Sequence, residues 1–281
     1  MTDDHSDRFA NRSWKYWTEP SFVEVDGRQT AYRRKGEGET VVYLHGGGNT
    51  RAWLPFHEEL SQHFDVIAPE HPGYGDTERG DLQSWEDMVL HYDAFFRALG
   101  LTDFHLIGHS LGGWLASNIA VYYPERFQTF TLFTPTGLLL PDKPTIDTFR
   151  WSDDVAFDAI LNGRGEDYLD QLVQEGDANE AIQAYEEAIT EATLAWNPRY
   201  DRRLDRRLSR VKAPTMIIGV DDDRVVHTEM AERFASLIPG AEFVRLSDPN
   251  APTSHLVHLE KPQELAGLIA QHISSNLEAH A

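Results

Sequence analysis

Short apolar runs and segments of helical period take turns along this chain. Arg28 to Lys35, after the turn signal Asp26-Gly27, reads as an early strand, and Val41 to Leu44, Phe64 to Ala68, Phe104 to Ile107, Phe127 to Phe133 and Ala241 to Leu246 are further strand-length segments. Between them lie helical patterns at Trp53 to His63, Trp85 to Leu99, Leu111 to Tyr122 and Thr228 to Ile238, with a last helix from Pro262. Ser84 is placed to cap the second of these and Gly100 to stop it. Alternation of this kind predicts an α/β protein, with a mostly parallel twisted sheet flanked by helices on both faces. It breaks between Thr136 and Arg210, where helical patterns at Asp153 to Leu161, Asp167 to Gln174 and Glu180 to Ala195 follow one another without strands. No internal repeat or low-complexity tract interrupts the chain.

One junction carries chemistry. Gly108-His109-Ser110-Leu111-Gly112 stands between the strand ending at Ile107 and the helix from Leu111. Gly-x-Ser-x-Gly in that context lets a serine sit on a tight strand-to-helix turn, with its hydroxyl lifted clear of the sheet. Gly108 and Gly112 have no β-carbon, so the backbone can pass close to itself on either side of Ser110. The first N–H groups of the helix then point at the same spot.

With this elbow in place, the chain resembles the α/β-hydrolase family from roughly Arg28 to its C-terminus. Val41 to Leu44 runs into His45-Gly46-Gly47-Gly48, similar to the family's oxyanion loop. Pro214 to Val226 reads as a strand ending in the acids Asp221, Asp222 and Asp223, and His255-Leu256-Val257-His258-Leu259-Glu260-Lys261-Pro262 is similar to the family's closing histidine motif. The order serine, acid, histidine is the family's. The resemblance implies an α/β-hydrolase fold with residues 1–135 and 211–281 forming the core and residues 136–210 an inserted helical cap. It also implies Ser110 as nucleophile, His255 as base, Asp223 as the group that orients it, and the N–H groups of Gly47 and Leu111 as an oxyanion hole. A serine hydroxyl needs a base, and the base a third group that fixes its tautomer.

Alternatives stand beside these assignments. Aligning Asp223-Arg224-Val225-Val226 with the family's pattern selects Asp223, with Asp222 as the alternate. The loop Asp248 to Ser254 is longer than the family's turn, and Ser254 replaces the glycine that precedes the histidine. His258 competes with His255 but reads better as a packed or exposed histidine at a helix start. His45 reads as a structural hydrogen-bonding residue, and His109 as packing under the elbow or lining the pocket. His57-Glu58 lacks a second histidine at zinc spacing, so it reads as an ordinary helix turn. No Gly-Lys-Ser/Thr follows the three glycines, which disfavours a phosphate loop. Leu138-Leu139-Leu140, Phe149, Trp151 and Trp196 are apolar candidates for the pocket wall or for packing of the cap on the core.

Three functions fit: hydrolysis of a small-molecule carboxylic ester through an acyl-enzyme, C–C bond hydrolysis of a vinylogous diketone, or ligand sensing by a noncatalytic relative. The C–C subfamily continues its glycines with Pro-Gly, where this chain has Asn49-Thr50. Retention of all three triad residue types argues against the sensor. Ester hydrolysis is the reading selected, and transfer to an acceptor other than water uses the same residues.

Composition bounds the setting. The 281 residues are 41% hydrophobic, enough for a large core. There is no cysteine, hence no disulfide or thiol nucleophile. Neither a metal site nor a cofactor is expected, because thirteen histidines without cysteine or a carboxylate–histidine cluster do not form one. No apolar run has the length of a membrane span and Met1 to Asp7 has no signal-peptide core, so cytoplasmic location is the expectation. The net charge of −21 would repel nucleic acid and anionic membranes, which leaves a small-molecule substrate as the expected partner. An acidic surface poor in lysine is that of salt-adapted proteins, the alternative being an ordinary acidic enzyme in an arginine-favouring organism.

Overall fold

The structure, a computed structural model, describes residues 15–151, 153–168, 178–248 and 253–278. Strands β1 (Ser21–Val25), β2 (Arg28–Lys35), β3 (Thr40–Leu44), β4 (Asp65–Pro69), β5 (Phe104–His109), β6 (Phe127–Phe133), β7 (Thr215–Val220) and β8 (Glu242–Leu246) form one sheet, in the order β1-β2-β4-β3-β5-β6-β7-β8. From β4 to β8 all neighbours are parallel, and β1 and β2 add an antiparallel edge.

Why the central strands are apolar without alternation is visible in the packing. Val42 and Leu44 of β3 face one core, with Ile67, Leu106 and Ile217; Val41 and Tyr43 face the other, with Val66, Ile107 and Ile218. Both faces are covered, so a polar residue at either parity would be buried without a partner. Helices α2 (Trp85–Ala98), α3 (Ser110–Tyr122) and α7 (Thr228–Leu237) cover the first face, and α1 (Pro55–Ser61) and α8 (Pro262–Glu278) the second. The Ser84 hydroxyl accepts from Asp87 N at 3.1 Å while Asp87 accepts from Ser84 N at 3.0 Å, so the cap is reciprocal. Gly100 takes φ +69° just past the helix end, where a β-carbon would be strained.

The first strand is not apparent in the sequence pattern. In β1, Ser21, Phe22 and Glu24 are exposed and only Val25 is buried, as an edge strand permits. Asp26 and Gly27, at φ +50° and +79°, form the two-residue turn that pairs Val25 with Arg28.

Between β6 and β7 the chain leaves the sheet. It forms α4 (Asp153–Ile160), α5 (Ala178–Ala195) and α6 (Leu204–Arg207), with short 3-10 turns at Thr148–Arg150 and Gly165–Tyr168. The expected helix from Asp167 to Gln174 begins in the second turn and otherwise lies outside the described residues, as do positions 249–252 of the long loop. The insertion is held to the core by apolar packing, with Leu138, Ala195, Leu204 and Leu208 buried in the first core and Leu161 against Leu54 and Leu256, and by polar contacts. The Trp85 indole donates to Leu194 O at 3.0 Å, Arg79 to Thr193 Oγ1 at 3.1 Å, and Gly75 N to Glu187 Oε1 at 2.8 Å.

The strand order fixes where a ligand can enter. From β3 the sheet grows to β4 on one side and to β5 on the other. The loops after β3 and β5 therefore diverge and leave a crevice at the carboxyl ends of these strands. Gly46 to Gly48 follow β3 and Ser110 follows β5. No helix of the described residues is long and apolar enough to cross a membrane.

Forty-six acidic side chains against twenty-five basic ones leave a self-repulsion that dilute buffer does not screen, because the Debye length is about 30 Å at 0.01 M and about 3 Å at 1 M. If this surface is a salt adaptation, the melting temperature climbs by several degrees from dilute buffer to molar potassium chloride, whereas an ordinary acidic chain shows only the small rise that strengthened apolar burial gives. Melting curves at several chloride concentrations check this, and a flat response retires the salt-adapted reading of the surface.

Candidate active site

The β5–α3 junction holds Ser110 at φ +51°, in the left-handed region that non-glycine residues rarely enter. The surroundings impose it. A β-carbon on Gly112 would lie 2.2 Å from both Leu44 O and His45 O, and one on Gly108 would lie 2.7 Å from Gly112 O and 2.8 Å from the Ala116 β-carbon. The start of α3 thus rests on the end of β3, which brings Gly46 against the serine: a β-carbon there would be 3.2 Å from that of Ser110.

Ser110 Oγ donates to His255 Nε2 at 2.8 Å, and His255 Nδ1 donates to Asp223 Oδ2 at 2.7 Å. The other oxygen, Asp223 Oδ1, accepts from the backbone of Val225 at 2.9 Å and Val226 at 2.7 Å. All three side chains are buried. A carboxylate anchored on its far side by two N–H groups can only present its near oxygen to the imidazole, which fixes the ring's tautomer. Of the other two acids, Asp221 pairs with Arg245 at 3.4 Å, and Asp222 accepts from Asn162 Nδ2 at 2.9 Å and reaches Arg224 at 3.5 Å. The structure therefore brings Asp223 to His255 and turns Asp222 away.

Five other buried histidines lie around the site. His45 donates through Nδ1 to Gly46 O at 2.6 Å and accepts through Nε2 from His71 N at 3.0 Å. His71 donates to His45 O at 2.9 Å, accepts from the Tyr92 hydroxyl at 2.5 Å, and stacks on His45 with ring centres 3.7 Å apart. His109 stacks on Phe133 at 4.6 Å beneath the elbow, and His258 packs against Phe133 and His109. His57 is buried and its Nδ1 accepts from Leu54 N at 3.0 Å, so it caps its own helix. Burial pushes the imidazoles of His45 down to about 4 and of His57 and His258 to about 3, with His71 and His109 held well below the ordinary value.

Ser110 and His255 open into a cavity of about 540 Å³ whose wall includes Gly47 and Leu111. Phe149 and Trp151 line it, whereas Leu138 packs into the core and Trp196 is exposed on the insertion. Two wall residues escape the sequence pattern: Glu191 of α5 and Arg199 beyond it. Glu191 sits so close to the glycine loop that a β-carbon on Gly47 would lie 2.4 Å from its Oε2. Burial, the neighbouring Glu187 and, in the other direction, His255 set its carboxyl at about 7. The one available signal was a pair of acids four residues apart in a helix whose inward face the sequence does not reveal. Among the described residues, no group of three or more histidine or acidic side chains converges as a metal site would require.

Residues 41–268 match the family model described as "Alpha/beta hydrolase family". Pyrrolizixenacetamide deacetylase of Xenorhabdus hominickii is 25% identical over 268 residues, 90% of this chain and 97% of that protein. The 2-hydroxy-6-oxo-6-(2'-aminophenyl)hexa-2,4-dienoic acid hydrolase of Metapseudomonas resinovorans is 27% identical over 236 residues, 77% of this chain and 79% of that protein. Among solved structures, a meta-cleavage product hydrolase from Pseudomonas fluorescens IP01 superposes with a TM-score of 0.71 at 21% identity, covering 91% of this chain and 97% of that one. The chain belongs to the alpha/beta hydrolase family and is a hydrolase.

The buried histidines make folding sensitive to acid. His45, His57, His71, His91, His105, His109, His258 and His272 all have lowered folded-state values, so below about pH 6.5 the unfolded chain binds protons that the folded chain excludes. Their contribution is complete above that pH and is lost as the pH falls towards the folded values. The raised carboxyls Glu70, Glu187, Glu191 and Glu260 act oppositely, losing their contribution as pH rises, but they are fewer. The melting temperature should fall steadily between pH 7 and pH 5, and a constant or rising value over that interval would contradict the neutral state of these rings.

Proposed function

We propose that this chain is a serine hydrolase that cleaves a carboxylic ester of a small molecule through an acyl-enzyme. The observation that carries the reading is the unbroken hydrogen-bond chain from Asp223 through His255 to Ser110, at 2.7 Å and 2.8 Å, at the wall of a cavity of about 540 Å³. His255 takes the proton of Ser110 as its Oγ attacks the ester carbonyl, and Asp223 stabilises the imidazolium that results. The Gly47 and Leu111 N–H groups are assigned to the developing oxyanion, where one such donor is worth about a hundred- to a thousandfold in rate. His255 then returns the proton to the leaving alcohol. Water, deprotonated by the same ring, releases the acid, so serine, histidine and water balance the reaction.

The inserted helices act in this reading as a cap that roofs the site and excludes bulk water. The C–C reading is the second one, favoured by the names of the Metapseudomonas relative and of the Pseudomonas structure. Its named substrate is a dienoic acid, an anion near neutrality, and the cavity offers it poor company. Arg199 is paired with Asp147 at 2.9 Å, and Glu191 carries acid of its own. The deacetylase relative makes amides the natural companion test to esters.

A panel of acyl esters, amides and a dienoate diketone, run beside Ser110→Ala, tests the assignment. Esters should be cleaved with an acyl-enzyme burst, and Ser110→Ala should lower turnover on the order of a millionfold while the fold persists. Activity above about a thousandth of wild type in that variant would sink the nucleophile, and cleavage confined to the diketone would transfer the assignment to C–C chemistry.

The acid is tested separately. Asp223→Asn is expected to cost about ten-thousandfold through the wrong histidine tautomer, and Asp222→Asn much less, because its partners are Asn162 and Arg224. Initial rates of the two variants decide it. A larger loss in Asp222→Asn would reverse the roles.

A further inference from the structure

The cavity that holds Ser110 contains a carboxyl group with nothing to do. Glu191 of α5 reaches its wall and lies against Gly47, yet forms no hydrogen bond or ion pair among the described residues. Its neighbour Glu187, one turn earlier, is occupied: it accepts from Gly75 N at 2.8 Å and from the Thr50 hydroxyl at 3.2 Å. The cation of the wall, Arg199, is also occupied, by Asp147. The rings of Trp114, Phe149 and Trp151 line the same space. Aromatic faces attract cations through their quadrupole, and a carboxylate beside them adds a full opposite charge.

We propose that Glu191 makes this pocket select substrates bearing an ammonium group and reject those bearing a carboxylate. What is turned over rests on the ester-hydrolase reading, but the charge preference can be read from binding alone. Glu191 lies near both the oxyanion loop and His255, so its repulsion of the developing oxyanion and its attraction for the imidazolium work against each other. A charge on the bound molecule meets no such offset.

The preference depends on pH because Glu191 titrates at about 7. The groups around it are Glu187 on its own helix, His255 across the cavity, Tyr74 in the loop after β4, and Arg199 beyond the helix end. Arg51 and Asp76, paired at 3.5 Å, act on it through Glu187. Burial and Glu187 oppose ionisation and His255 favours it, so the carboxylate is present above 7 and the neutral acid below.

The test is equilibrium binding of hexylammonium, hexanol and hexanoate to the full chain, at pH values well below and well above 7. Wild type above 7 should prefer hexylammonium to hexanoate by about tenfold or more, the scale of one partly screened charge pair. The preference should shrink below 7 and vanish in Glu191→Gln, whose melting curve reports folding. Glu187→Gln keeps Glu191 but removes a like charge, so it should retain the preference and move its midpoint to lower pH. Should Glu191→Gln not fold, that displacement decides the matter alone. Equal binding of the two ions by wild type, the same preference in Glu191→Gln, or an unmoved midpoint in Glu187→Gln would overturn the proposal. Matched esters of 6-aminohexanoate, hexanoate and adipate should follow the same ranking in kcat/KM. An ammonium preference in binding without turnover of any ester would sink the ester reading and leave the charge selection standing.

Discussion

Everything at this site depends on how closely the first turn of α3 lies against the end of β3. At Gly112 there is no room for a single carbon beside the carbonyls of Leu44 and His45. That contact forces the left-handed Ser110, aims its hydroxyl into the switch-point crevice, and sets the glycine loop beside it. A residue held at positive φ costs on the order of 1 to 3 kcal/mol, so it persists only where its surroundings leave no alternative. Here they are the two central strands of a sheet covered on both faces. The strain is local, and the rigidity that sustains it is global.

The buried imidazoles extend that rigidity to the glycine loop. His45 and His71 exchange hydrogen bonds with each other's backbone, and each ring uses one nitrogen as donor and the other as acceptor. Such a pattern works only for neutral rings, since a protonated imidazole has no acceptor left. The same burial that raises the cost of charging them makes the network specific in its tautomers. His255 differs in having a carboxylate behind it. The chain thus separates histidines that hold the loop from the one that bridges a carboxylate and the serine hydroxyl, by what each second nitrogen faces.

How far the sequence reveals this site follows from the same physics. Gly108, Ser110, Gly112 and the glycines after β3 are legible because backbone geometry admits few alternatives at those positions. The parallel strands are legible because burial on both faces demands unbroken apolar runs. Asp223 is harder, since three acids stand together and only the backbone after β7 decides which one faces His255. Edge strand β1 escapes because one exposed face and a solvated edge tolerate almost any residue. Glu191 is least legible, because an acid in an insertion helix looks solvent-exposed until the helix is seen packed against the glycine loop. Phe149 and Trp151 could be singled out as large and apolar, but not distinguished from Leu138 and Trp196 before the packing was known.

The insertion's attachment bears on that last residue. Its helix α5 meets the core through the buried Ala195 and through polar points at Thr50, Gly75, Arg79 and Trp85. Residues four apart share one helix face, so Glu187, which takes the Gly75 N–H, and Glu191, which reaches the cavity, are placed by a single orientation of the helix. The anchor is itself a raised carboxyl, with burial opposing its charge while the Gly75 N–H and Arg51 favour it. That hydrogen bond acts together with the burial of Thr190 and Ala195 on the same helix, so Glu191 is held at the wall by several contacts at once. The charge at the cavity wall and the hold of the insertion on the core thus share one helix face, and a glutamine at 187, which keeps an oxygen to accept the Gly75 N–H, changes the charge beside Glu191 while leaving that anchor in place.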